Sequence, residues 1–199
     1  MRYKRPAFTL IELLVVIFVS SILMGVIAEV FVGTWRAELN QEARTQLQQS
    51  SRASLDAMTT VARQAGGVVG TITIGGVTYT TTANSVVLKL SSIDASGNPT
   101  DLSDYIIFQV DQNNSAHLQR VIKADSTSAR FTQASPTDLT TELSALTIQY
   151  FDSSGNGIDP SGGSIDTAAS LRFTVSTSRV VNGQTIVSQL DDLADLRNR

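Results

Sequence analysis

Residues 13–28 of this chain carry no charge, and the apolar run around them reaches Gly33. Coiled as a helix, a run of roughly 20 to 25 residues crosses a hydrocarbon core of about 30 Å. Arg2, Lys4 and Arg5 precede it with no acid among them, which places the N-terminus in the cytoplasm and the rest of the chain on the far side. A secretory signal peptide would have a shorter apolar core followed by a small-x-small cleavage site, and Gly25-Val26-Ile27-Ala28 fits that poorly. A plain membrane anchor accounts for the length and the basic head. It does not account for Glu12, a carboxylate inside the apolar segment that is costly in lipid unless something pairs with it.

The residues around Glu12 supply a partner by analogy. Lys4-Arg5-Pro6-Ala7-Phe8-Thr9-Leu10-Ile11-Glu12-Leu13-Leu14 closely resembles the class III signal of type IV pilins and type II secretion pseudopilins. The resemblance implies cleavage between Ala7 and Phe8 on the cytoplasmic side, with the apolar stretch kept on the mature protein. It implies N-methylation of Phe8, the new N-terminus. It also implies that Glu12, the fifth mature residue, meets the N-terminal amine of a neighbouring subunit during filament assembly. The family usually has Gly where this chain has Ala7. Pro6 is unusual, and the Pro that many major pilins carry midway along the membrane helix is missing; only Gly25 interrupts the run.

Beyond the apolar run the polar character rises. Residues 35–65 contain neither Pro nor Gly, and Leu39, Ala43, Leu47, Ser51, Leu55, Met58, Ala62 and Ala65 recur at spacings of three and four. That is one apolar stripe on a helix, with Arg36, Glu38, Gln41, Glu42, Arg44, Gln48 and Arg52 supplying the other face. Gly66-Gly67 stops it. The period then falls to two. Strands are predicted over 71–74 and 77–81 around Gly75-Gly76, over 85–91, and over 105–110 and 117–123 as a second hairpin. Further strands are predicted over 146–151 and 171–177, and residues 180–187 form a hairpin around Asn182-Gly183. Residues 190–196 read as a short tail helix or loop, and no internal repeat is evident.

The expected fold is therefore α+β and pilin-like: one long N-terminal helix packed on an antiparallel β-sheet domain. Its parts are a leader at 1–7, a transmembrane or filament-core helix at 8–33, an amphipathic continuation at 34–66 and the sheet domain at 67–199. The end of the helix and the closing Leu196-Arg197-Asn198-Arg199 resemble the larger minor pilins and pseudopilin J.

Composition narrows the chemistry. There is no Cys and one His, His117, so thiol catalysis, disulfides and multi-His metal sites are out. There is no G-x-S-x-G elbow, Walker loop or dinucleotide fingerprint. A net charge of -3 argues against binding nucleic acid through bulk charge. Asp152, Asn156 and Asp159 lie on a glycine-rich loop and form a weak calcium candidate; the EF-hand pattern fails there and an exposed turn uses the same residues. Asn113-Asn114-Ser115 matches a glycosylation acceptor, a cheap match. Asp191, Asp192 and Asp195 read as a solvated acidic face, with a partner salt bridge as the alternative.

The reading that results is a structural subunit, not an enzyme, with no cofactor. It is a minor pilin or pseudopilin assembled into a type IV pilus or a type II secretion pseudopilus. The implied partners are other pilin or pseudopilin subunits, the prepilin peptidase/methyltransferase, an inner-membrane assembly platform and membrane lipid. Two alternatives stay open: a DNA-uptake pilin, and a binding or enzymatic domain that only borrows the anchor.

Overall fold

The computed structural model describes residues 9–133 and 135–197. The expected leader at 1–7 and the expected cleavage site at Ala7 and Phe8 lie outside the described residues. One helix, α1, runs over Leu10–Gln64, 55 residues, and the chain divides into two compact units between Glu42 and Ala43.

Among its described residues the first unit is helix from Leu10 onward. Every residue of α1 up to Glu38 is exposed, the large apolar ones included: Ile17 is 61%, Leu23 60% and Phe31 70% accessible. Such a surface is stable only in an apolar medium or against other apolar helices.

In the second unit the same helix becomes amphipathic. Ala43, Leu47, Ser51, Ser54, Leu55, Met58, Thr59 and Ala62 are buried along one stripe, as their spacing predicts. The helix ends where Gly66 N–H donates to Lys89 O at 2.8 Å, which carries the chain directly into the first strand.

Eleven strands follow: β1 (Gly67–Val69), β2 (Thr71–Ile74), β3 (Val77–Thr80), β4 (Ser85–Ile93), β5 (Pro99–Val110), β6 (Leu118–Lys123), β7 (Thr137–Thr140), β8 (Leu143–Phe151), β9 (Gly157–Ile158), β10 (Ser170–Val181) and β11 (Gln184–Asp195). All pairs among them are antiparallel. They form two main sheets, ordered β1-β4-β5-β6-β7 and β11-β10-β8-β9, and the separate hairpin β2-β3.

Met58, Leu55 and Ala62 of α1 share one core with Leu88, Leu90 and Phe108 of the first sheet and Ile148, Phe173 and Val175 of the second. The helix thus closes the inner faces of both sheets. Each large apolar side chain buried there contributes about 1.5–3 kcal/mol. Small helix residues admit the strands closely, and their hydroxyls are paired: Ser51 Oγ lies 2.8 Å from Thr177 Oγ1, and Ser50 Oγ donates to Thr140 Oγ1 at 2.8 Å.

The hairpin β2-β3 covers the opposite face of the first sheet. Ile72 and Tyr79 pack on Val87, Ile107 and Val121. That is why Val86, Val87 and Leu88 are all fully buried although they alternate in direction: β4 has cover on both sides. Gly75 and Gly76 both take positive φ, +62° and +79°, the type I′ geometry of a two-residue hairpin, and Asn182 and Gly183 do the same at +51° and +77°.

One polar cluster sits inside the second unit. Asp104 is fully buried and accepts from Ser128 Oγ at 2.7 Å, Arg130 Nη1 at 2.8 Å and Asp125 N–H at 3.0 Å. Three donors satisfy a carboxylate that burial alone would penalise, and they tie the segment after β6 to β5.

The prediction for residues 190–196 is corrected. Residues 190–195 belong to β11, paired with β10 in unbroken register from Ser170↔Asp195 to Val181↔Gln184. Leu190, Ala194 and Leu196 suit a helical spacing and a strand spacing alike. The continuous ladder decides, with Ile186, Ser188 and Ala194 turned inward.

Candidate functional site

The N-terminal end of α1 is built by two residues. Thr9 precedes the helix and Glu12 lies in its first turn. Thr9 N–H donates to Glu12 Oε2 at 2.9 Å, Thr9 Oγ1–H donates to the same oxygen at 3.0 Å, and Glu12 N–H reaches Thr9 Oγ1 at 3.3 Å. This is a reciprocal capping box: each side chain accepts from the other's backbone, so two helix-end donors are satisfied. The signal for it is Thr-x-x-Glu ahead of an apolar run, present at 9–12. Sequence reasoning took Glu12 as an assembly residue alone and missed its service to its own helix.

The geometry has a chemical consequence. Glu12 is aimed back at the helix end through Oε2, and Oε1 takes no hydrogen bond among the described residues. A carboxylate has about four acceptor positions, so one end of Glu12 is held in place while the other can take a further donor.

Two hydroxyls along this part of α1 bond back to their own helix. Ser21 Oγ donates to Phe18 O, and Thr34 Oγ1 to Val30 O. α1 has the length and composition to cross a membrane. Trp35 ends the apolar stretch at 58% exposure, the position at which Trp anchors helices to a membrane surface.

The calcium candidates fall in two successive turns. Asp152 Oδ1 accepts from Ser154 N–H at 2.8 Å and Asn156 N–H at 2.9 Å, and Asn156 Nδ2 donates to Asp152 Oδ2 at 3.1 Å. Asp159 Oδ1 accepts from the hydroxyl and N–H of Ser161 at 2.6 and 2.9 Å. The hydrogen bonds from Asn156 hold the Asp152 carboxyl below its ordinary range, and the Ser161 hydroxyl does so for Asp159. Both carboxylates already shape their own loops. Among the described residues no three His, Asp or Glu side chains gather as a metal ion would need.

The turn at Asp152 has a twin. Asp94-Ala95-Ser96-Gly97-Asn98 joins β4 to β5 as Asp152-Ser153-Ser154-Gly155-Asn156 joins β8 to β9. Asp94 Oδ1 accepts from Ser96 and Asn98 N–H at 2.8 and 2.9 Å, and Gly97 and Gly155 take φ of +85° and +81°. The pattern Asp-x-Ser-Gly-Asn was legible at both places and was missed as a repeat. Its occurrence at two hairpins marks it as turn chemistry.

His117 Nδ1 lies 3.1 Å from Asp138 Oδ2, joining the start of β6 to β7. Asp192 approaches Arg63 at 3.7 Å; Asp191 and Asp195 are exposed on β11. An open groove of about 630 Å³ beside them is lined by Gln48, Arg52, Asp56 and Asp191 among others. The glycosylation triplet Asn113-Asn114-Ser115 lies in the β5–β6 turn, where Asn114 Oδ1 accepts from Ala116 N–H at 3.1 Å.

Residues 2–28 match a family model, the prokaryotic N-terminal methylation motif. No curated protein matches the chain. The motif covers the basic head, Thr9, Glu12 and the apolar run, the part of the molecule whose helix is exposed throughout. Through this segment the chain is similar to proteins that carry the prokaryotic N-terminal methylation motif.

Proposed function

We propose that the protein is a minor pilin or pseudopilin, inserted in the inner membrane and assembled into a type IV pilus or a type II secretion pseudopilus. The prepilin peptidase cuts between Ala7 and Phe8 and the new N-terminus is methylated. The sheet domain faces the periplasm or the exterior. The reading rests above all on one observation: the membrane-length half of α1 presents apolar side chains on every side, with a helix-capping carboxylate at its start. A plain anchor can use Glu12 as a helix cap, but it leaves Oε1 without a donor among the described residues, and the filament reading supplies one. In a filament, Oε1 of Glu12 accepts from the amine of a neighbouring Phe8 while Oε2 keeps the helix end closed.

Two measurements test this. Intact mass and N-terminal sequencing of membrane-extracted protein should give a chain starting at Phe8; losing Arg2, Lys4 and Arg5 takes the net charge from -3 to -6. A mature chain that still begins at Met1 in peptidase-positive cells sinks the proposal. Glu12→Ala should insert and fold normally, since it removes a charge from lipid, yet be depleted from sheared filaments. Normal incorporation would remove Glu12 from the assembly role.

A further inference from the structure

Three of the four outer strands of the main sheets are short: β1 has 3 residues, β7 has 4 and β9 has 2. β11 has 12, and it pairs on one side only, with β10, in a register without a bulge. Sheets blunt a long edge with Pro, Lys or a bulge, and β11 contains none of them. The turn at Asn182-Gly183 fixes which backbone groups point outward. Val181 and Gln184 close it by bonding each other, so Gln184 and every second residue after it direct their N–H and C=O at β10. Thr185, Val187, Gln189, Asp191, Leu193 and Asp195 direct theirs at the open side. Leu193 N–H takes the side chain of Asp192 there at 2.9 Å. The other five meet no further backbone group among the described residues.

Two open hollows lie between this edge and α1. One of about 630 Å³ is bounded by Arg52, Leu55 and residues 190–192, and one of about 310 Å³ by Arg44, Gln48 and residues 185–188. Both touch consecutive residues of β11, core-facing and outward-facing alike, as the rim of a strand presents them. The rim is thus open over 185–192, about 26 Å of strand.

The side chains beside it set the charge. The outward face of β11 carries two acids, Asp191 and Asp195, both exposed, and no base. Arg172 stands opposite Leu193 on β10, but its guanidinium lies over the Phe151 ring, toward β8. Arg63 approaches Asp192 instead. A second β11 added antiparallel about Leu193 would set Asp191 against Asp195 twice, and like charges directly opposite are destabilising.

We propose that β11 accepts an extended segment of a partner protein as an added antiparallel strand, with basic residues four apart and an apolar residue midway between them. The bases stand opposite Asp191 and Asp195, and the apolar side chain lies on Leu193, which is 45% exposed. Main-chain hydrogen bonds hold the strand, and the charges select it. The proposal stands whether or not the chain enters a filament, so the two readings fail separately.

The test uses the full-length chain in neutral detergent and a fluorescent peptide, Lys-Thr-Val-Thr-Lys-Thr-Thr-Thr-Val. Anisotropy reads binding, and amide hydrogen exchange reads the site. The peptide should bind and slow exchange over 185–195. Replacing both lysines by Glu should weaken binding about tenfold. N-methylating the peptide at its third and seventh residues, whose N–H groups face the edge, should weaken it at least as much. Asp191→Lys with Asp195→Lys should reverse the preference, losing the Lys peptide and taking the Glu peptide. Gln189→Pro removes an N–H that the ladder does not use, so it should keep the circular dichroism of the parent and lose both peptides. No binding, or exchange slowed elsewhere on the chain, overturns the proposal. Binding that ignores the N-methyl groups is charge attraction without an added strand and overturns it. Equal binding of the Lys and Glu peptides overturns the basic occupant. Exchange over 185–195 that is slow without peptide and speeds up on dilution makes a second copy the occupant, and overturns it as well.

Discussion

Leu23 and Leu55 belong to one helix and meet opposite surroundings: Leu23 is 60% exposed and Leu55 is 4%. Around Leu23 the helix is apolar on all sides. Around Leu55 it is apolar on one stripe, and the two sheets cover that stripe. A helix needs only its own backbone hydrogen bonds to stand in an apolar medium, whereas in water it depends on packing. The two halves of α1 are stabilised by these two different means, and that difference can be tested by breaking each half separately.

Truncation gives the largest effect. A chain beginning at Glu38 keeps the buried stripe and should fold in buffer without detergent. A chain beginning at Gly67 loses Leu55, Met58 and Ala62 and uncovers Leu88, Phe108, Ile148 and Phe173, so it should aggregate. Circular dichroism and size exclusion compare the two. Equal solubility would mean that α1 is not the sheets' partner.

Next come single changes within the second unit. Asp104→Ala leaves Arg130, whose side chain is 13% exposed, without its carboxylate, and should cost about 3–5 kcal/mol in urea unfolding of the Glu38-start chain. Asp192→Ala, which breaks an exposed pair with Arg63, should cost less than about 1 kcal/mol. Similar losses for the two would contradict the burial argument.

The direct comparison within the helix is Leu→Ala at both positions in the full chain. Leu55→Ala should destabilise the folded domain by about 2–5 kcal/mol through a cavity. Leu23→Ala opens no cavity and should leave the domain's unfolding unchanged. A shift at Leu23 comparable to that at Leu55 would show that the halves are not independent.

The smallest effect concerns pH. Hydrogen bonds from Asn156 hold Asp152 below its ordinary carboxylate range. A depressed pKa stabilises the fold above the unfolded value, and the stabilisation is lost as pH falls through the lower folded value. Asp152→Ala should therefore melt slightly earlier than the parent at neutral pH, with the difference shrinking as pH falls below the ordinary carboxylate range. A difference that grows in acid would reverse the assignment.

Most of α1, the glycine hairpins and the helix stop were legible in the sequence. The capping box at Thr9 and Glu12 was legible too, in a four-residue pattern, yet was overlooked because Glu12 already had a role in assembly. The twin Asp-x-Ser-Gly-Asn turns were overlooked because ten-odd Ser, Gly and Asp residues nearby obscured them. Residues 190–195 read as a tail helix or loop and proved to be strand, because Leu190, Ala194 and Leu196 satisfy two periods at once.

By itself the sequence determined the membrane-length helix, its basic flank, the methylation motif and the sign of φ at Gly75, Gly76, Asn182 and Gly183. These are local properties, set by residues within a few positions of one another. Tertiary structure decided that the strands divide into two sheets, that a hairpin covers the outer side of β4, that residues 190–195 extend a ladder, and that Asp104 is buried among Ser128 and Arg130. Each of these depends on pairing between residues distant in the chain. No local period records which strand will lie beside which, or which carboxylate the folded chain will enclose.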